Sequence, residues 1–296
     1  MTQLSDKAML VSLNITGWSG RALDKTASAE TINNHNAQAD AGRFNKSLAS
    51  KDDLAAINSA AGDARLYHRG KTLPWLNDGT RLLPAALYFE WIAEMRQHRQ
   101  RHETAVADFI ARYPRMITAA QVRLGTLFRA DEYPAVDQLA RQFGFEYPVQ
   151  PLADPTDFRV ALGADEEARI RQEYDALAQT GINAGLADIH KRVRETVGRM
   201  AERLAAYHVD AEGRTQGKFH DTLVTNVRDL VDVMAALNIN NDPEIERIRR
   251  QMAATLTAHD PTTLRNSETA RAETRRAAES VLANLDGYGI QMGFAA

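Results

Sequence analysis

Apolar residues recur at alternating steps of four and three along the C-terminal half of the chain, the spacing that gathers them on one face of a helix. Ile182, Leu186, Ile189, Val193, Val197, Met200, Leu204 and Tyr207 keep this rhythm. Leu223, Val227, Leu230, Met234 and Leu237 resume it after Asp210-Ala211-Glu212-Gly213. Two stripes joined by a short polar turn predict an antiparallel helical hairpin. Spacing and turn signals together predict helices over 164–179, 183–207, 215–237, 243–258 and 262–285. Asn241-Asp242-Pro243 and Asp260-Pro261 supply cap-plus-proline starts. The last helix is rich in Ala and Arg, which predicts that it covers a bundle face or meets another subunit.

The N-terminal half reads differently. Met9 to Ile15 alternate and are β-prone, a short strand ended by the tight turn Gly17-Trp18-Ser19-Gly20 with a packed tryptophan. Asp157 to Leu162 form a second strand able to pair with it. From Ser28 to Lys51 the composition turns to Ala, Asn, Gln, Ser and Asp, which predicts a lightly packed, weakly helical segment whose order depends on a partner. A short helix follows over 52–66, then a sharp turn through Pro74 and Asp78-Gly79. Pro84 sits in the first turn of a long helix over 85–112, whose stripe is Tyr88, Trp91, Met95, His98, His102, Ala105 and Phe109. Tyr113-Pro114 interrupts it, and a further helix covers 115–128. Pro134, Pro148, Pro151 and Pro155 punctuate an irregular stretch with one short helix over 135–142. The fold class expected is α+β, predominantly α: a small N-terminal sheet with helices, plus a C-terminal bundle of long, coiled-coil-like helices. The expected boundary lies near Gly163, dividing 1–163 from 164–296, with a flexible C-terminal tail.

Composition narrows the function classes. The absence of cysteine excludes disulfides, thiolate zinc sites and a cysteine nucleophile, and fits a reducing compartment. The start lacks a basic stretch followed by an apolar run. Leu82 to Ile92 is far shorter than the roughly 20 residues that span a bilayer. A cytoplasmic protein without a membrane partner is therefore expected. A net charge of −3 and a pI near 6.3 argue against a dedicated duplex-DNA binder.

Several residue groups carry candidate chemistry. Glu94, His98 and His102 stand at successive four-residue steps, so one helical face offers a carboxylate and two imidazoles to a divalent metal; no third strong ligand of matching spacing accompanies the histidines. The same histidines fall on the apolar stripe, where buried, hydrogen-bonded imidazoles are common. No cofactor is expected. Gly213-Arg214-Thr215-Gln216-Gly217-Lys218-Phe219 is one residue short of a phosphate loop and has Phe at the magnesium-binding position, so it reads as a turn. Gly17 to Gly20 lacks the spacing of a nucleophile elbow around Ser19.

Arginine and lysine concentrate on the C-terminal helices: Lys191, Arg192 and Arg194, then Arg249 and Arg250, then Arg271, Arg275 and Arg276. These residues are the candidate partner-binding or nucleic-acid-binding set, with Tyr174, Tyr207, Phe219 and His220 as stacking surfaces for a single strand. Solvated arginine faces paired with Glu195, Glu202, Glu244, Glu246, Glu273 and Glu279 at helical spacing explain the same residues. The tail Gly287 to Phe294 carries Tyr, Ile, Met and Phe and reads as a short docking peptide.

Four segments carry a resemblance that covers most of the chain: Leu10 to Arg21, Leu73-Pro74-Trp75 with Gly79 to Pro84, Tyr133-Pro134, and Asp157-Phe158-Arg159. In these the chain resembles an uncharacterised family of phage and prophage proteins classed only as domain of unknown function 3150. The resemblance implies no activity and no catalytic residue. It implies a genomic neighbourhood of MoxR-type AAA+ ATPases and von Willebrand factor A-like metal-site proteins. The function expected is a non-enzymatic phage accessory protein that self-assembles and binds partner proteins, an AAA+ ATPase among them. The alternative is a single-stranded nucleic-acid-binding protein in phage DNA replication or recombination.

Overall fold

The computed structural model describes residues 4–76, 79–153, 163–209, 215–217 and 219–293. In chain order the helices are α1 (Leu4–Lys7), α2 (Lys25–Asn34), α3 (Lys51–Lys71), α4 (Tyr88–Leu124), α5 (Val136–Ala140), α6 (Ala164–Ala206), α7 (Thr222–Leu237), α8 (Pro243–Thr255), α9 (Pro261–Asn266) and α10 (Glu268–Met292). The strands are β1 (Ala8–Ser12), β2 (Asn14–Thr16), β3 (Arg21–Leu23), β4 (Asn45–Ser47), β5 (Leu73–Pro74), β6 (Thr80–Pro84), β7 (Gly144–Glu146), β8 (Val149–Pro151), β9 (His208–Val209) and β10 (Thr215–Gln216). The fold is α+β and predominantly α, with long C-terminal helices. The chain forms two compact units, one from Met1–Val11, Lys71–Phe89 and Val149–Ala296, the other from Ser12–Gly70 and Glu90–Pro148. Gly163, the expected boundary, is the N-cap of α6 and lies within the first unit.

In the first unit, α6 packs against α7 and α10, and α8 packs against both of these. The stripe read from the sequence is its core: Leu186, Ile189, Val193, Val197, Met200 and Leu204 of α6 are buried, as are Val227, Leu230, Met234 and Leu237 of α7. Asp242 and Asp260 cap α8 and α9 through their carboxylates, and Pro243 and Pro261 follow in the first turn, as the sequence indicates. The sheet has the strand order β5-β6-β1-β8, with Met9 opposite Pro151 and Val11 opposite Val149. The partner expected for the first strand, Asp157 to Leu162, lies outside the described residues, and β8 pairs with β1 instead.

Four helix boundaries in this unit differ from the pattern. The helix expected over 215–237 begins only at Thr222, and Thr215-Gln216 instead form β10, paired antiparallel with β9. Helix α6 is continuous across 180–182. Its Gly181 and Gly185 face Trp75 and Leu73, and a Cβ on Gly181 would stand 2.2 Å from the Trp75 ring. Each helical glycine costs about 1 kcal/mol, and here the missing side chains let β5 and its following loop lie against the helix. The segment expected as one helix over 262–285 is two, because Ser267 leaves helical geometry and its Oγ accepts from Ala270 N at 3.2 Å. The tail expected to be flexible is helical as far as Met292 and ends on Gly293 at φ +69°. Tyr288 there is buried and donates its hydroxyl to Asp242 at 3.1 Å.

In the second unit, α3 and α4 enclose a core of Leu48, Leu54, Ile57, Phe109, Tyr113, Met116, Ala120, Tyr133 and Leu139. Trp18 packs on it, its ring 6.1 Å from Phe109 and edge-on to Tyr113 at 5.9 Å. Strands β2 and β7 pair, as do β3 and β4. Helix α4 runs through Pro114 without ending. An interior proline costs about 3 kcal/mol; burial of Phe109 and Tyr113 before it and Met116 and Ala120 after it, with the Tyr113 hydroxyl on Pro134 O at 3.0 Å, offsets that cost. The polar segment from Ser28 to Lys51 is lightly packed in its first part and anchored in its second. No residue of α2 is buried, yet Lys46, Leu48 and Ala49 are. Lys46 Nζ lies 2.9 Å from both Asp24 and Glu132 and donates to Leu127 O at 2.7 Å.

Candidate functional site

The basic residues singled out in the sequence lie on three helices of the first unit, and most already have an acidic neighbour. Lys191 lies 4.0 Å from Glu195, Arg194 pairs with Asp286, and Arg275 lies 3.4 Å from Glu279. Arg249 and Arg250 both bind Glu246 at 2.7 Å, and these hydrogen bonds hold its carboxyl down at a pKa of about 2. Arg192 pairs with Asp188 and donates to Thr72 O at 2.6 Å, a carbonyl that also accepts from Arg81 at 3.0 Å. Its role is to fasten the segment before β5 to α6. Arg276 is exposed and donates to Ala272 O at 3.3 Å within its own helix.

Arg271 is different. It is only 7% exposed, and its Nη1 donates to Leu264 O at 3.0 Å and Arg265 O at 2.8 Å. These carbonyls belong to the last turn of α9, where a helix leaves acceptors unsatisfied and favours a cation. The guanidinium stacks over the Tyr207 ring at 5.2 Å. Among the described residues no carboxylate forms an ion pair with it. A solvent-open cleft of about 440 Å³ adjoins it, lined chiefly by Tyr207, Arg265, Asn266, Glu268, Arg271 and Arg275. Arg265 lies over the Phe219 ring at 5.5 Å and pairs with Asp221, and the Tyr207 and Phe219 rings meet edge to face at 5.8 Å.

The structure thus brings Arg271, Arg275 and Tyr207 to one cleft and leaves Lys191, Arg192, Arg194, Arg249, Arg250 and Arg276 off its lining. Tyr174 is held elsewhere by Ala153 O. Arg265, Asn266 and Glu268 do not stand out in a spacing pattern that runs 262–285 as one helix. Asn266-Ser267, two cap-forming residues in the middle of that segment, are the signal that separates α9 from α10. The near-phosphate-loop segment lies partly outside the described residues.

In the second unit, His98 and His102 are buried core side chains. Their rings lie 5.3 Å from Tyr67 and 5.5 Å from Phe145. Burial lowers the pKa of both imidazoles, and Arg101 lowers that of His98 further. Glu94 accepts from Gln97 Nε2 at 3.3 Å. Among the described residues, no group of three His, Cys, Asp or Glu side chains is placed to hold a metal ion. Nor, among these residues, is any helix long and apolar enough to cross a membrane. Comparisons with protein-family models, curated proteins and solved structures found no match to this chain.

Proposed function

We propose that this chain is a non-enzymatic accessory protein that self-assembles and binds partner proteins through its C-terminal helices. The observation that carries this reading is the interleaving of charge on those helices. Lys191, Arg194, Arg249, Arg250 and Arg275 each have a carboxylate within 4.0 Å, so the surface alternates in sign. Such a surface produces little of the long-range field that draws a polyanion, and it suits a protein face of matching pattern. Phe89 and Ile290 of the same unit, each 82% exposed, add apolar contact points. The resemblance to a phage family makes a MoxR-type AAA+ ATPase the first partner to test. Capture from phage-infected cells on the immobilised full chain should recover a specific protein. Recovery of none, together with a monomeric mass in solution, would end this reading.

A second reading, a single-stranded nucleic-acid-binding protein of phage replication or recombination, has one observation in its favour. Tyr207 and Phe219 lie together with Arg271 and Arg265 over their rings, the residue types on which bases stack. It predicts binding that weakens steeply with salt.

A further inference from the structure

We infer that the cleft beside Arg271 seats a carboxylate of an acidic peptide segment on the partner, with Arg271 as its anchor; this rests on the protein-binding reading above. Arg271 is fixed before any ligand arrives. Its Nη1 is spent on two carbonyls of α9 and its face on Tyr207, while Nε and Nη2 have no hydrogen-bond acceptor among the described residues. That remaining edge of the fork offers two parallel donors, the geometry that grips a two-oxygen anion. Little side-chain entropy is left to lose on binding, because the side chain is already buried and tied.

Charge chooses between carboxylate and phosphate. Arg265 has Asp221 and Arg275 has Glu279, and Glu268 lines the cleft itself. Two of the three guanidinia in the lining are thus already ion-paired, and the Glu268 carboxylate there opposes the second charge of a dianion. Among the described residues Arg271 has no carboxylate in an ion pair with it, and one monoanion satisfies it. Asn266 and Arg275 stand in the same cleft to receive the neighbouring peptide groups, and its volume accommodates one or two residues.

The test is fluorescence anisotropy of a dye-labelled hexaglutamate peptide titrated with the full chain at low salt. Arg271→Lys keeps the charge and loses the fork, and it should weaken binding about tenfold. Arg275→Gln removes an exposed cation, leaves the buried face of α10 intact, and should weaken binding several-fold. Inorganic phosphate should displace the peptide no better than acetate does. Wild-type affinity in both variants overturns the inference, as does displacement by phosphate or by a single-stranded oligothymidylate at a tenth of the acetate concentration or less. If Arg271→Lys protein melts early, Arg275→Gln decides alone. A partner protein captured equally by wild-type and Arg275→Gln chains removes the cleft from the interface while leaving the protein-binding reading standing.

Discussion

Gly181 of α6 lies directly beneath the indole of Trp75, so close that a Cβ at that position would be 2.2 Å from the ring. Substitution to alanine therefore forces either the ring or the helix to move. Overpacking of this kind typically costs about 1–3 kcal/mol, against about 1 kcal/mol gained by replacing a helical glycine, so the clash with a ring only 2.2 Å away sets the sign as a net loss. Urea unfolding of Gly181→Ala should show that loss. In a Trp75→Ala background most of the penalty should vanish, because the two positions act on one contact. Equal penalties in both backgrounds would contradict the packing described.

Lys46 is buried, with two carboxylates and a carbonyl around its ammonium. Burial by itself pulls its pKa down, but the hydrogen bonds to Glu132 and Asp24 outweigh it and the net shift is upward. Lys46→Met leaves both acids without their cation and should speed amide exchange in β3 and β4. Glu132→Gln should have a smaller effect, since Asp24 and Leu127 O still hold the ammonium. Hydrogen exchange read by mass spectrometry distinguishes the two variants.

His98, His102 and His190 are all buried and all have lowered pKa values, chiefly through desolvation. The unfolded chain therefore takes up protons near pH 6.5 that the folded chain refuses. Stability is complete above that value and declines as pH falls through it, by up to about 1.4 kcal/mol per pH unit for each histidine. Melting temperatures between pH 7.5 and 5 should show the decline. His98→Gln/His102→Gln protein should show a shallower slope, and an unchanged slope would place the titrating groups elsewhere.

Glu246 acts in a lower window. Its carboxyl is held near 2 by Arg249 and Arg250, against 4.5 when free. The folded state is favoured above pH 4.5, and that contribution disappears as pH falls towards 2. The group is solvent-exposed enough that screening limits the effect to about 0.5 kcal/mol. Acid unfolding of Glu246→Gln should begin from a slightly lower stability at pH 6 and converge with the wild type near pH 2.

Much of this fold is legible in the chain. The stripe from Leu186 to Leu204 and the cap-plus-proline starts at Asp242 and Asp260 encode periodicity and capping, which are local, and they appear as read. The continuity of α6 and of α4 depends on distant contacts. Gly181 looks like a helix breaker until Trp75 is placed on it, and Pro114 looks like a helix end until Tyr113 finds Pro134. Lys46 looks like a solvated lysine until Asp24 and Glu132 converge on it. For the candidate site, arginine content points to the right helices without distinguishing Arg271 from its neighbours. What sets Arg271 apart is the break at Ser267, which turns the last carbonyls of α9 towards it.

The measurement that tests the protein-binding reading most directly is the mass of the full chain by light scattering at low salt, alone and with a short single-stranded DNA. A self-assembling protein-binding chain gives a defined oligomer whose mass the DNA leaves unchanged. A mass increase on adding DNA, reversed by salt, would contradict it and put the nucleic-acid reading in its place.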